Sequence, residues 1–225
     1  MGRKKKLHHF VENETFGNLF QVTFEQLQTE SFALKGNWHT DFFKNQHPIV
    51  LELGCGKGEY TIGLARTNPD KNFIGIDVKG ARLWRGLKTA SEESIPNVAF
   101  IRSRIELIGH FFGPDEVSEI WITFPDPQPR QARERKRLTS PFFLKIYRQF
   151  LSKDGIIHLK TDSDLLYAFT CETIENEKHT ALFSTNDLYA IEQPMEVKNI
   201  RTFYEQRWLN EGLTIKYVTF RLHEP

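Results

Sequence analysis

Pro48-Ile49-Val50-Leu51-Glu52-Leu53-Gly54-Cys55-Gly56-Lys57-Gly58 decides how the rest of this chain is read. A short apolar run halts at a cluster of glycines, the pattern of a buried strand that delivers its carboxyl end to a tight turn. Tyr60 to Arg66 then has helical composition and stops near Asn68-Pro69. The alternation continues with a strand at Asn72–Asp77, a helix at Ala81–Glu93, a strand at Val98–Ile101 and a helix-like stretch from Glu106 to Phe112. Glu119–Phe124 reads as a fourth strand, halted by Pro125, and Ser140-Pro141 as an N-cap with proline at the first helical position, opening a helix to about Leu151. Gly155–Thr161 is a fifth strand and Asp162–Asn176 another helix, while Thr214–Leu222 alternates as a strand with one wetter face would. Strands alternating with helices predict right-handed crossovers and a mostly parallel sheet, with helices on both faces. Toward the N-terminus the pattern loosens, so residues 1–45 are expected as an arm or cap region and residues 46–225 as the single domain.

Composition narrows the class. With 39% hydrophobic residues and 19 Phe in 225 residues, the chain has the apolar content that disordered chains lack. No apolar run approaches the 18 residues of a membrane span, and no apolar segment follows Met1-Gly2-Arg3-Lys4-Lys5-Lys6, so neither a span nor a secretory signal is expected. Two cysteines, Cys55 and Cys171, are too few for a disulfide framework or a cysteine zinc site, and His8-His9, His39, His47 and His110 lack metal-ligand spacing. No Ser/His/Asp nucleophile arrangement is legible, so a cytoplasmic protein without metal or obligate protein partner is expected. Thirty Lys and Arg against 29 Asp and Glu give a net charge of +1, yet the charges are segregated. Arg130, Arg133, Arg135, Lys136, Arg137, Lys145 and Arg148 stand with Glu134 as their one acid, and Lys79, Arg82, Arg85 and Lys88 with none. Such separation suits a polyanion-binding face, with an ordinary solvated surface as the competing reading.

In an open α/β sheet, ligands sit beyond the carboxyl ends of the strands. Gly54, Gly56 and Gly58 lie at such an end, where backbone unshielded by Cβ admits a ligand. Asp77 follows 77 − 54 = 23 residues later at the next strand end, placed to accept the two hydroxyls of a ribose. A dinucleotide site wants G-x-G-x-x-G. This chain has G-x-G-x-G with Glu52 upstream, and that carboxylate would repel a diphosphate but attract the ammonium or sulfonium of S-adenosyl-L-methionine. The charge favours the methyl donor; a glycine turn that only packs strand against helix is the alternative.

The fourth strand ends in Phe124-Pro125-Asp126-Pro127-Gln128-Pro129-Arg130. Alternating prolines impose extended backbone and remove amide donors, predicting a stiff loop that holds Asp126 at the rim beside a cofactor's reactive end. An ordinary exit turn with a solvated Asp126 is the competing role.

Taken together, Glu52–Gly58, Phe124-Pro125-Asp126-Pro127 with its basic tail, Lys160-Thr161-Asp162 and Thr202-Phe203-Tyr204-Glu205 resemble, in order, the bacterial tRNA (guanine-N7-)-methyltransferases. The resemblance spans roughly residues 45 to 222; the glycine loop is shared by many methyltransferases, whereas the proline loop is far more specific. It implies a Rossmann-like class I methyltransferase with a mostly parallel seven-stranded sheet and a C-terminal antiparallel strand. It further implies a donor site at Glu52, Gly54, Gly56, Gly58, Asp77 and Arg104, with Asp126 as the active-site acid. Arg130, Asp162, Thr202, Phe203, Tyr204 and Glu205 would meet the tRNA or its target guanine, which the resemblance places in the variable loop. The chain departs from the family at Gln128, where Trp is usual, and at Ser103-Arg104 and Ala132-Arg133, so contacts there are its own.

The chemistry implied makes modest demands. Guanine N7 carries an in-plane lone pair, so its attack on a sulfonium methyl needs no general base and leaves positive charge on the base. Positioning and a nearby carboxylate are then the expected sources of rate. Asp126 is open to three roles: stabilising that charge, orienting the donor's ammonium, or accepting from the guanine edge. Asp162 and Glu205 are further candidates for that edge, against competing roles as a helix N-cap and a surface ion pair. Phe203 and Tyr204 are candidates for stacking, against a place in the core. The basic tail Arg130–Arg137 is expected to hold phosphates. Two other classes stay open: a methyltransferase acting on another RNA, a protein or a small amine, and a non-catalytic RNA-binding relative.

Overall fold

The computed structural model describes residues 3–193 and 195–223, with only the backbone of residues 3–7 and of Glu196. Eight strands form one sheet: β1 (Leu19–Gln21), β2 (Ile49–Leu53), β3 (Asn72–Asp77), β4 (Val98–Arg102), β5 (Val117–Thr123), β6 (Leu151–Thr161), β7 (Thr180–Thr185) and β8 (Lys216–Arg221). The helices are α1 (Arg3–Asn13), α2 (Phe24–Thr29), α3 (Glu59–Thr67), α4 (Gly80–Glu92), α5 (Pro141–Tyr147), α6 (Asp164–Asn176) and α7 (Phe203–Asn210). The side chains of the basic run Arg3-Lys4-Lys5-Lys6 fall outside the described residues.

Strand order is β1-β4-β3-β2-β5-β6-β8-β7, parallel except where β8 runs against both neighbours. The chain winds outward from β2 through β3 to β4, then returns to β5 on the other side of β2. That reversal opens a crevice at the carboxyl ends of β2 and β5. One face of the sheet packs Phe143, Leu144, Tyr147, Leu166 and Ile174 of α5 and α6. The other packs Tyr60, Ile62, Leu64, Leu83 and Leu87 of α3 and α4.

The expected α/β architecture is present with one strand beyond seven, β1, which pairs Leu19 with Phe100 in parallel register. Residues 19–43 also bring Leu27 and a wholly buried Trp38 into the core. Buried Glu116 anchors this segment, accepting the backbone N–H of Gly36 at 2.8 Å, of Trp38 at 2.9 Å and of Gly113 at 2.7 Å.

Three local expectations are corrected. The helix opened by Ser140-Pro141 ends at Tyr147, not near Leu151, because β6 already pairs Leu151 with Val117. The helix-like stretch after β4 is a 3-10 helix, Ile105–His110. The final strand has no wetter face: sandwiched between β6 and β7, all of β8 but Arg221 is buried. Buried Lys216 at its start meets Asp164 Oδ1 at 2.9 Å and the Asp162 carbonyl at 3.2 Å.

Candidate active site

Because β2 to β6 are parallel, the loops that follow them all emerge at one edge of the sheet. The glycine loop turns there through left-handed backbone, with φ of 74° at Gly54, 58° at Gly56 and 71° at Gly58. A Cβ on Gly54 or Gly56 would meet nothing within 4 Å, whereas one on Gly58 would strike the Phe100 ring at 2.8 Å. The first two glycines thus open a cradle for a ligand, and the third lets the loop close against β4. Asp77 shapes the cradle, accepting Gly56 N–H at 3.0 Å on Oδ2 and Lys79 N–H at 2.7 Å on Oδ1. Each oxygen keeps a lone pair for a further donor.

A cavity of about 380 Å³ gathers Gly54, Asp77, Ser103, Arg104, Gln128 and Lys136. Arg104 is largely exposed, 3.5 Å from Glu106. Gln128 forms part of the wall.

Glu52 stands elsewhere. Its carboxylate is buried and takes both the N–H (2.8 Å) and the hydroxyl of Thr61 on Oε2, and the Thr123 hydroxyl at 2.6 Å on Oε1. It ties the first turn of α3 to the end of β5 around the glycine loop. Burial pushes its carboxyl up from 4.5 to about 7, against the three hydrogen bonds that pull it down. Between those values the native protein holds the proton more tightly than the unfolded chain. The contribution of Glu52 to stability is therefore fully present below pH 4.5 and is lost as pH rises through 7, by about 3 kcal/mol in all. Glu52→Gln removes this titration, so its stability relative to the parent should rise by that amount between pH 4.5 and 8, measured by urea unfolding. A gap that does not change with pH would refute the assignment.

The proline loop is built differently from a uniformly extended segment. Phe124 and Gln128 both occupy left-handed backbone, with φ of 47° and 46°, a strained choice for side chains with a Cβ. The ends are held: Phe124 N–H donates to the Lys160 carbonyl at 2.8 Å. Arg137 donates to the carbonyls of Pro127 at 3.3 Å and Gln128 at 3.4 Å while its guanidinium covers the Phe169 ring at 4.4 Å. Arg137 is buried and so acts as a brace; this corrects its reading as a phosphate contact. Arg130, Arg133, Arg135 and Lys136 are exposed. Between the braces Asp126 is exposed and accepts Gln128 N–H at 3.0 Å on Oδ1.

The remaining candidates separate into exposed and buried groups. Phe203 and Tyr204 are exposed at the start of α7, Phe203 lying 5.3 Å from Lys57 Nζ with its N–H bound to Glu59 at 3.0 Å. Thr202 is the N-cap of α7, accepting Glu205 N–H. Asp162 is half-buried and is not the N-cap of α6, which is Ser163. Glu205 is no surface ion pair: wholly buried, it meets Lys160 Nζ at 2.7 Å and the Tyr189 hydroxyl at 2.7 Å. Burial pulls the Lys160 amine down against the attraction of Glu205. Sequence reasoning missed Thr61, Thr123, Tyr189 and the bracing role of Arg137, since no local pattern marks a partner brought in from a distant element. Among the described residues no group of three His, Cys, Asp or Glu is arranged to hold a metal, and no helix is long and apolar enough to cross a membrane.

A glycine cradle with an acid at the next strand end, in this strand order, defines a class I methyltransferase. Solved structures agree on the fold: the 16S rRNA methyltransferase KamB superposes with a TM-score of 0.61 at 14% identity, covering 84% of this chain and 95% of its own. A 16S rRNA adenine methyltransferase from Catenulisporales acidiphilia, solved with its cosubstrate SAM, gives 0.60 at 13% identity, covering 83% and 90%. A family model described as "Putative methyltransferase" matches residues 46–218. The tRNA (guanine-N(7)-)-methyltransferase of Christiangramia forsetii is 56% identical, covering 99% of this chain and 100% of its own. That of Bacteroides thetaiotaomicron is 49% identical, covering 97% and 86%. The chain belongs to the tRNA (guanine-N7-)-methyltransferase family.

Proposed function

We infer that the protein transfers the methyl group of S-adenosyl-L-methionine to N7 of a guanine in tRNA, in the cytoplasm, the variable loop being the expected location of that base. Full-length similarity at 56% to a relative carrying that activity in its name is the observation that carries the reading.

The residues present fit the donor. Gly54 and Gly56 leave space where side chains would stand, and Asp77 offers spare acceptor capacity for the ribose hydroxyls. Glu52 serves the site indirectly, by setting the start of α3 through Thr61. The donor supplies an electrophilic methyl on a sulfonium. The chain supplies position and charge, worth several kcal/mol when reactants are well aligned. Asp126, on a loop braced by Arg137, places a carboxylate where the guanine acquires its positive charge. Phe203 and Tyr204, exposed at the start of α7, offer faces on which an unstacked base can lie. Arg130, Arg133, Arg135 and Lys136 hold nearby phosphates. Asp162 remains a candidate for the guanine edge; buried Glu205 instead fixes α7, which carries the two aromatic rings.

Purified protein incubated with unmodified tRNA and S-adenosyl-L-methionine should yield N7-methylguanosine on nucleoside analysis. Methylation only of a small amine or protein would overturn the substrate. Binding of tRNA without transfer would overturn the activity.

A further inference from the structure

A second basic surface adjoins the donor cavity. A cleft of about 870 Å³ between α1 and α4 is lined by Lys57, Lys79, Arg82, Arg85 and Arg102, with Glu59 the sole acid. Glu59 is already engaged, accepting Phe203 N–H at 3.0 Å. Lys79, Arg82 and Arg85 are exposed and, among the described residues, have no carboxylate partner. Like charges gathered without counter-charge repel one another, and a bound polyanion relieves that repulsion.

The outer wall is well fixed. His9 stacks on Trp84 at 3.7 Å, and Trp84 Nε1 donates to Glu12 at 2.8 Å. Asn13 Nδ2 donates to the Gly80 carbonyl at 2.9 Å. Glu12 is spent on Lys88, 2.8 Å away, so α1 docks without neutralising the cations of the cleft. His9 covers one face of Trp84, which leaves charge, not aromatic stacking, as the main attraction. Val78 lines both this cleft and the donor cavity, placing the cleft on the β3 side. The exposed tail Arg130–Lys136 follows β5, on the other side of β2.

We propose that the α1–α4 cleft binds the sugar–phosphate backbone of the tRNA, so that the substrate is gripped on both sides of the donor cavity. This rests on the reading of tRNA as substrate. Full-length Arg82→Gln/Arg85→Gln protein should bind tRNA about tenfold more weakly at 0.1 M salt, with donor affinity by calorimetry unchanged. Its slope of log affinity against log salt should fall by about 1.4–1.8, the loss of two phosphate contacts. A Lys57→Gln/Lys79→Gln variant tests two further cations of the lining and should show the same flattening. A parental salt slope in both folded variants would overturn the proposal. The parent's own methylation of tRNA is read in parallel: its absence would overturn the substrate reading, whereas its presence beside unchanged slopes would overturn the cleft alone.

Discussion

Asp126→Ala should lower the rate of methyl transfer to tRNA by about 10²–10³-fold, the range found when a charge-stabilising group is removed from an active site. The side chain is exposed and, among the described residues, makes one hydrogen bond, to Gln128 N–H. Its loss should therefore leave the melting temperature near that of the parent. Asp126→Asn keeps an oxygen for that N–H while removing the charge. If the carboxylate acts by its charge, Asn should be nearly as impaired as Ala in single-turnover assays. Recovery of the rate in the Asn variant would instead assign the residue to loop shape. Near-parental turnover in both would remove Asp126 from the mechanism.

The largest stability effect should come from the buried pair beneath α7. Lys160→Met strands the Glu205 carboxylate in the interior with Tyr189, among the described residues, as its remaining partner, and losing one member of a buried pair costs about 3–5 kcal/mol. Lys160→Met/Glu205→Gln should regain most of this, because a neutral amide still accepts from Tyr189 and no charge is left unpaired. Denaturant unfolding of both single variants and the double variant measures the coupling. Additive losses would show that the two groups do not act as a pair. Lys160 also donates to the carbonyls of Val197 at 2.7 Å and Ile200 at 3.3 Å, so it fastens the whole approach to α7. Phe203 and Tyr204 should lose their fixed placement with it, raising KM for tRNA in the Lys160→Met variant while donor affinity holds.

The contrast between Asp126 and Glu205 shows how far a linear reading reaches. Asp126 was legible because prolines on either side announce a loop, and a loop after a parallel strand must lie at the functional edge. Glu205 sits in an equally suggestive motif, yet its carboxylate points to Lys160, 45 residues earlier, and no local signal distinguishes a buried brace from a solvent-facing acceptor. Arg137 repeats the lesson. Within a basic run it reads like its neighbours, but Phe169 gives its guanidinium a surface to cover and the turned loop presents it two carbonyls. Edge strands β1 and β7 escaped notice for a related reason. β1 has three residues, and β7 is mostly exposed, so neither carries the apolar run or clean alternation that marks a half-buried strand.

Alone, the order of residues determined the layered α/β plan, the glycine turn, Asp77 at the strand end and the proline loop, because each depends on periodicity or on backbone limits imposed within a few positions. Which carboxylates face the cavity and which are tied up inside, where α1 docks, and which arginines stay free for a polyanion were decided only by tertiary structure. Those outcomes rest on desolvation and on partners that folding brings together from distant parts of the chain.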